Sequence, residues 1–205
     1  MLIHFNGKPI DTSTHTLHEF CKQHNILDRV IILNGYQTSA DYPLNQNDNI
    51  VAIKKGEYPS EAELESMLSA RHSPHIYAKL KSAKVAIAGI GGLGSNIAIM
   101  LTRIGVGQIF VVDFDTVDAS NINRQNYYIS HIGMFKTTAL IEQLSQINPF
   151  VKLEYKTLKI TPDNVVDLFK DYDIVCEAFD NPSNKAMLIE NLLAYTNVKI
   201  VAGSG

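Results

Sequence analysis

The residues of this 205-residue chain best suited to chemistry are those that handle phosphate. Gly89, Gly91 and Gly94 satisfy GxGxxG, with Gly92 among them, where the apolar run 84–88 gives way to a helical stretch from Ser95. Glycines placed there let the backbone approach a phosphate and aim the helix N-terminus at negative charge. The next apolar run ends at Asp113, about 20 residues beyond the loop, where an acid bonds ribose hydroxyls. A polar, turn-rich segment follows and brings Asn121, Arg124 and Gln125 just past the sheet edge, offering a guanidinium fork and two neutral amides to an oxyanion. Asp115, grouped with these cofactor-binding residues, and Asp118 either position that segment or solvate it. Lys136, three residues after Gly133, is a cation at a helix start; it does little for the helix there and suits a polyphosphate. The plain structural alternative is a glycine-rich turn followed by a solvated surface loop.

Such residues need a scaffold of strands ending on one edge. From Ala83 onward, apolar strands (84–88, 108–113, 152–155, 174–177, 199–202) alternate with helical stretches from Ser95 and over 137–146. Strands joined by helical crossovers imply an α/β fold: a Rossmann-like, mostly parallel sheet with helices on both faces.

The first 55 residues follow another pattern. Leu2 to Phe5 reads as a strand, Asn6-Gly7 as a hairpin turn, and Pro9-Ile10 as the start of the return strand. Thr16 and Glu19 form a capping box, and Leu17, Phe20 and Cys21 share one helical face, so 17–24 is a short amphipathic helix. Strands at 29–33 and 49–54 follow, the first turned by Asn34-Gly35. The order strand, strand, helix, strand, strand is that of a small β-grasp, ubiquitin-like domain. A linker at 55–59 precedes a second capping box, Ser60 with Glu63, which opens a helix to about Ala70; Ser73-Pro74 reads as a further helix start. The expected domains are 1–57 and 58–205.

Composition narrows the function classes. With 45% hydrophobic and 19% charged residues and a net charge of −3, neither a disordered chain nor a coiled coil is the main architecture. Five basic and six acidic residues precede position 58 and 13 and 15 follow, so neither part has the basic excess of a nucleic-acid binder. No apolar run is long enough to span a membrane, and the N-terminus lacks a signal-peptide layout, so the expected location is cytoplasmic. Cys21 and Cys176 sit far apart in apolar settings and read as core residues; His18 and His24 are not at i,i+3 or i,i+4 and no acid or cysteine completes a ligand set, so His15, His18 and His24 read as helix-surface residues.

Residues 60–205 resemble the ThiF/MoeB/HesA adenylyltransferases, relatives of the ubiquitin-activating enzymes, through GIGGLGS at 89–95, DFDTVDASNINRQ at 113–125, Gly133 with Lys136, and EAFDNPSNK at 177–185. The resemblance implies that Gly91 and its neighbours line the ATP phosphates and that Asp113 binds the ribose. It also implies that Asn121, Arg124 and Lys136 grip the triphosphate, that Asp180 helps hold Mg²⁺, and that Arg71 is the arginine offered to the ATP of the partner subunit of a homodimer. The first 55 residues resemble ThiS, the sulfur carrier that such enzymes activate. Carriers of that type end in Gly-Gly, whereas Gly56 is followed by Glu57 and runs into the linker, so the implied substrate is a separate carrier.

The implied reaction is adenylylation of the carrier's terminal carboxylate, with ATP and Mg²⁺, directed toward thiamine thiazole synthesis. A non-catalytic nucleotide-binding adaptor and an NAD-binding Rossmann protein are the alternatives. Family members continue beyond a strand such as 199–202, so the sequence is either C-terminally shortened or a minimal form. No residue here is assigned to sulfur transfer.

Overall fold

Two asparagine-glycine pairs turn the amino-terminal chain back on itself. Asn6 and Gly7 stand at φ of +48° and +77°, Asn34 and Gly35 at +51° and +82°. Positive φ at both central residues is what a two-residue hairpin turn needs to match strand twist. These turns belong to a computed structural model that describes residues 1–72 and 74–203, so the Ser73 half of the Ser73-Pro74 helix start lies outside the described residues. The chain divides into units Met1–Lys79 and Leu80–Gly205.

In the first unit, β1 (Leu2–Phe5), β2 (Lys8–Asp11), α1 (Leu17–Gln23), β3 (Val30–Leu33), β4 (Tyr36–Thr38) and β5 (Asn49–Ile53) are followed by α2 (Glu61–His72), and α3 (Pro74–Ser82) crosses the division. The sheet order is β2-β1-β5-β3-β4, with β1 and β5 parallel and the other pairs antiparallel. This is the expected β-grasp with one strand more. β4 has three residues, too short to show alternation, and exists because the Asn34-Gly35 turn lays Tyr36 back against Leu33 and Thr38 against Ile31.

The Thr16 hydroxyl accepts from the Glu19 N–H, and the Glu19 carboxylate accepts from the Thr16 N–H, closing the capping box of α1. Leu17, Phe20 and Cys21 then pack on Ile3, Ile31 and Ile50. Strand alternation sends Ile32, Val51 and Ile53 to the opposite face, where Met67 and Ala70 of α2 cover them. By these contacts α2 is part of the amino-terminal unit. Its start is held by Ser60, whose N–H donates to Glu63 Oε2 at 2.9 Å, and the Ser60 amide and hydroxyl hold the Glu63 carboxyl below its ordinary pKa.

The second unit comprises β6 (Lys84–Ala88), α4 (Gly92–Arg103), β7 (Gln108–Asp113), α5 (Lys136–Ile147), β8 (Lys152–Thr157), α6 (Val165–Phe169), β9 (Ile174–Glu177), α7 (Pro182–Tyr195) and β10 (Lys199–Ala202). All five strands are parallel, in the order β10-β9-β6-β7-β8. Val85, Ile87, Ile109 and Val111 face the core shared with α4 and α5, while Ala86, Ala88, Phe110 and Val112 face that of α6 and α7. Both faces are therefore covered, as parallel sheets require. α4 begins at Gly92, three residues before the expected Ser95, because the glycines themselves form its first turn with Gly91 as N-cap. Among the described residues no helix is long and apolar enough to cross a membrane.

Candidate nucleotide site

β6 is the central strand, and the chain leaves it for β7 and β8 on one side before returning to β9 and β10 on the other. In open parallel sheets the crevice beyond the carboxyl ends at such a switch point is where ligands bind. A cleft of about 300 Å³ opens there. Gly89, Gly91, Gly92, Asp113, Asp115, Arg124, Gln125, Lys136 and Asp180 all line it, nine residues drawn from five separate segments.

The glycine loop is held against the strand ends. The Gly89 N–H donates to the Val112 carbonyl at 2.9 Å, with Gly89 at φ +83°. A Cβ there would also press on the Phe179 ring and the Ala178 carbonyl. The Asp113 carboxylate accepts from the Ile90 N–H at 2.8 Å and from the Asp115 N–H at 2.9 Å, so the acid at the end of β7 fixes the loop as well as facing the cleft. Gly94, by contrast, does not line the cleft; its missing Cβ is a packing requirement, because one would collide with the Gly89 carbonyl oxygen. Gly94→Ala is expected to cost about 1–3 kcal/mol through overpacking. Urea unfolding checks this, and an unchanged midpoint would mean that the loop yields freely.

Cations and amides converge from the segment between β7 and α5. Lys136, the first residue of α5, is only 6% exposed, and its Nζ donates to Asp115 Oδ2 at 2.9 Å. Arg124 Nη1 donates to the Ser120 carbonyl at 2.9 Å and to Asn123 Oδ1 at 3.0 Å, which leaves other guanidinium donors for the cleft. Asn121 is not among the cleft-lining residues, because its side-chain carbonyl turns back to accept from the Asp118 N–H at 3.0 Å. Asp118 caps the same 3₁₀ turn, Ala119–Asn121, by accepting from the Ser120 N–H, and the Ser120 hydroxyl and amide hold its carboxyl below the ordinary value.

Gln125 Oε1 is buried and without a hydrogen-bond partner among the described residues. A buried acceptor in a ligand cleft implies a donor supplied from outside. The Asp180 carboxylate, just past β9, makes no ion pair or hydrogen bond among the described residues. Arg71 sits exposed in the last turn of α2, in the amino-terminal unit.

Sequence reasoning misses the apolar wall of the cleft, formed by Phe114, Leu158, Ile160 and Phe179. Leu158 and Ile160, on either side of Lys159 directly after the end of β8, are the signal that could have found part of it. Cys176 is 7% exposed within the sheet core, and burial pushes its thiol pKa up; burial, with Asp41 adding, does the same for Cys21. Both thiols are free. Neither is expected to react with a thiol reagent at pH 7 until the protein is unfolded, and rapid labelling of the native protein would contradict their core role.

A five-stranded parallel sheet with this strand order, a glycine loop after its central strand and a cleft at the switch point define a doubly wound nucleotide-binding fold. Residues 65–205 match the ThiF family, so the chain belongs to it, and residues 1–56 match the ThiS-like ubiquitin family. Among curated relatives, the probable adenylyltransferase/sulfurtransferase MoeZ of Mycobacterium tuberculosis is 39% identical over 50% of this chain and 26% of its own. The adenylyltransferase and sulfurtransferase uba4 of Emericella nidulans is 41% identical over 54% of this chain and 23% of its own. The matched segment thus spans about a quarter of the length of these relatives. Escherichia coli tRNA N6-threonylcarbamoyladenosine dehydratase, TcdA, solved in complex with ATP, superposes with a TM-score of 0.67 at 29% identity, covering 73% of this chain and 63% of that one. Escherichia coli MccB with ATP, at 23% identity and a TM-score of 0.60 over 67% of this chain and 44% of that one, shares the fold.

Proposed function

We propose that the chain adenylylates the C-terminal Gly-Gly carboxylate of a separate ThiS-like carrier, using ATP held in the switch-point cleft. The observation that carries this reading is the convergence of Lys136, Arg124, Gln125 and Asp180 on a cleft floored by the glycine loop. The adenylyltransferase names of its relatives and the ATP of the TcdA structure support it.

In the proposed reaction a carboxylate oxygen of the carrier attacks the α-phosphorus. The bond from that phosphorus to the pyrophosphate oxygen breaks, giving an acyl-adenylate and pyrophosphate. The carboxylate is already ionised at pH 7, so no general base is needed. Negative charge grows on the phosphate oxygens, and pre-positioned donors stabilise it: the amides at the start of α4, the Arg124 guanidinium and the Lys136 ammonium. Asp113 takes the ribose, and Phe114, Leu158 and Ile160 give the base an apolar wall.

Asp180 fits a role in holding Mg²⁺. A magnesium ion takes one or two protein carboxylates and completes its shell with phosphates and water, and Asp180 is an unengaged carboxylate in the cleft wall. When bound, the ion would neutralise phosphate charge.

The amino-terminal unit is read as a retained β-grasp rather than the substrate. Both faces of its sheet are already packed, one by α1 and the other by α2, and its last strand leads into the linker. Its likeness to ThiS directs the reading toward thiamine thiazole synthesis. A homodimer, with Arg71 offered to the partner's ATP, is carried from the family resemblance. Calorimetry tests the nucleotide assignment: ATP is expected to bind more tightly than NADH, and the reverse order would replace the reading with that of an NAD-binding protein.

A further inference from the structure

Two buried hydroxyls outside the cleft act on the glycine loop. Tyr127 is 4% exposed and Ser95 fully buried, and neither lines the cleft. The Tyr127 Oη–H donates to the Ile90 carbonyl at 2.8 Å. Ser95 Oγ–H donates to the Gly91 carbonyl at 2.6 Å, which also accepts the first helical bond from the Ser95 N–H at 3.1 Å, and Ser95 Oγ itself accepts from the Asn126 N–H at 3.2 Å. Two consecutive loop carbonyls are therefore tied to buried groups.

The peptide bond makes this consequential. In a planar trans peptide the N–H points opposite to the C=O, and the chain has no cis peptides among the described residues. A carbonyl of residue 90 turned toward Tyr127 directs the Gly91 N–H the other way, and a carbonyl of residue 91 turned toward Ser95 does the same for the Gly92 N–H. Gly91 and Gly92 both line the cleft. The second peptide is also held by the helix itself, through the Ser95 N–H, but the first, released from Tyr127, could flip and present an oxygen where an anion is to sit.

We propose that the Tyr127 hydroxyl, seated by the hold of the Ser95 hydroxyl on the neighbouring Asn126 N–H, is the positioning group that aims the Gly91 amide at the nucleotide's phosphates, an inference that rests on the nucleotide reading above. Burial, with the Asp113 and Asp115 carboxylates adding, pushes the Tyr127 phenol far above its ordinary pKa, so it stays a donor throughout the working pH range. Gln143 holds the same segment, its Nε2 donating to the Asn126 carbonyl at 2.7 Å.

The test compares ATP with adenosine, which shares the base and ribose and lacks the phosphates. Tyr127→Phe is expected to weaken ATP binding about tenfold, the effect of losing one buried hydrogen bond, and to leave adenosine binding unchanged. Ser95→Ala, which releases the Asn126 N–H next to Tyr127, is expected to weaken ATP and not adenosine in the same way by a smaller factor, and decides the matter should Tyr127→Phe not fold. Tyr172→Phe is the control: its hydroxyl donates to Glu154, away from the loop, and both affinities should stay at wild-type values. Equal weakening of both ligands, or no change in either, would overturn the positioning role. A wild-type chain that binds ATP no better than adenosine would remove the nucleotide reading itself, and this inference with it.

Discussion

Replacing Lys136 by alanine is expected to lower carrier-dependent ATP–pyrophosphate exchange by about two to three orders of magnitude, the usual loss when a pre-positioned charge donor is removed from a reacting centre. The surroundings of Lys136 hold its ammonium at the cleft. Its side chain is buried at the start of α5, and Asp115 anchors its ammonium at 2.9 Å. A cation in the first turn opposes the helix dipole, so its burial there is not explained by helix stability. Asp115 is about half exposed and can be hydrated once the lysine is gone, so folding should survive. Arg124→Ala is expected to behave alike, because Arg124 reaches the cleft from a turn capped by Asp118 and Asn121. Exchange of labelled pyrophosphate into ATP reads both; near-full rates in these variants would remove their assigned roles.

The largest expected effect on stability lies at Lys185. The Glu177 carboxylate is fully buried at the end of β9, where it accepts from the Phe179 N–H at 2.7 Å and from Lys185 Nζ at 2.5 Å. Lys185 also donates to the Gly203 carbonyl at 3.0 Å, tying the residue after β10 to the β9 end. Lys185→Met strands a buried carboxylate, and breaking such a pair costs about 3–5 kcal/mol. For a chain of this size that lowers Tm by roughly 10 °C. Replacing both partners, as Glu177→Gln with Lys185→Met, should recover most of the loss, because no uncompensated charge remains. A loss below about 1 kcal/mol in Lys185→Met would mean that the pair behaves as a solvated surface bridge.

That pair also marks what sequence can and cannot show. Gly89, Gly91 and Asp113 are legible because their requirement is local: a tight turn after a strand, and an acid at the next strand's end. The capping boxes at Thr16 and Ser60 and the two Asn-Gly turns are legible for the same reason. Glu177 and Lys185 are read from family likeness as parts of a motif, yet their pairing depends on how the start of α7 sits over the β9 end. The signals for α7 itself, Asn181 as N-cap and Pro182 in the first turn, lie inside that same motif. The apolar cleft wall exists only once the ends of β7, β8 and β9 share one edge. Gly94 shows a subtler gap: its glycine fits the phosphate-loop pattern, while its observed neighbour is the Gly89 carbonyl rather than the cleft. Asn121 is drawn from the cleft by its own turn, a competition that side-chain type alone does not reveal.

The central claim is that this chain activates a separate carrier's carboxylate, and pyrophosphate exchange by the wild-type protein tests it most directly. With a ThiS-like protein ending in Gly-Gly, label should pass from pyrophosphate into ATP, and removing the carrier's last glycine should abolish it. Normal ATP affinity with no exchange for any such carrier would contradict the claim and leave the chain a non-catalytic nucleotide-binding adaptor.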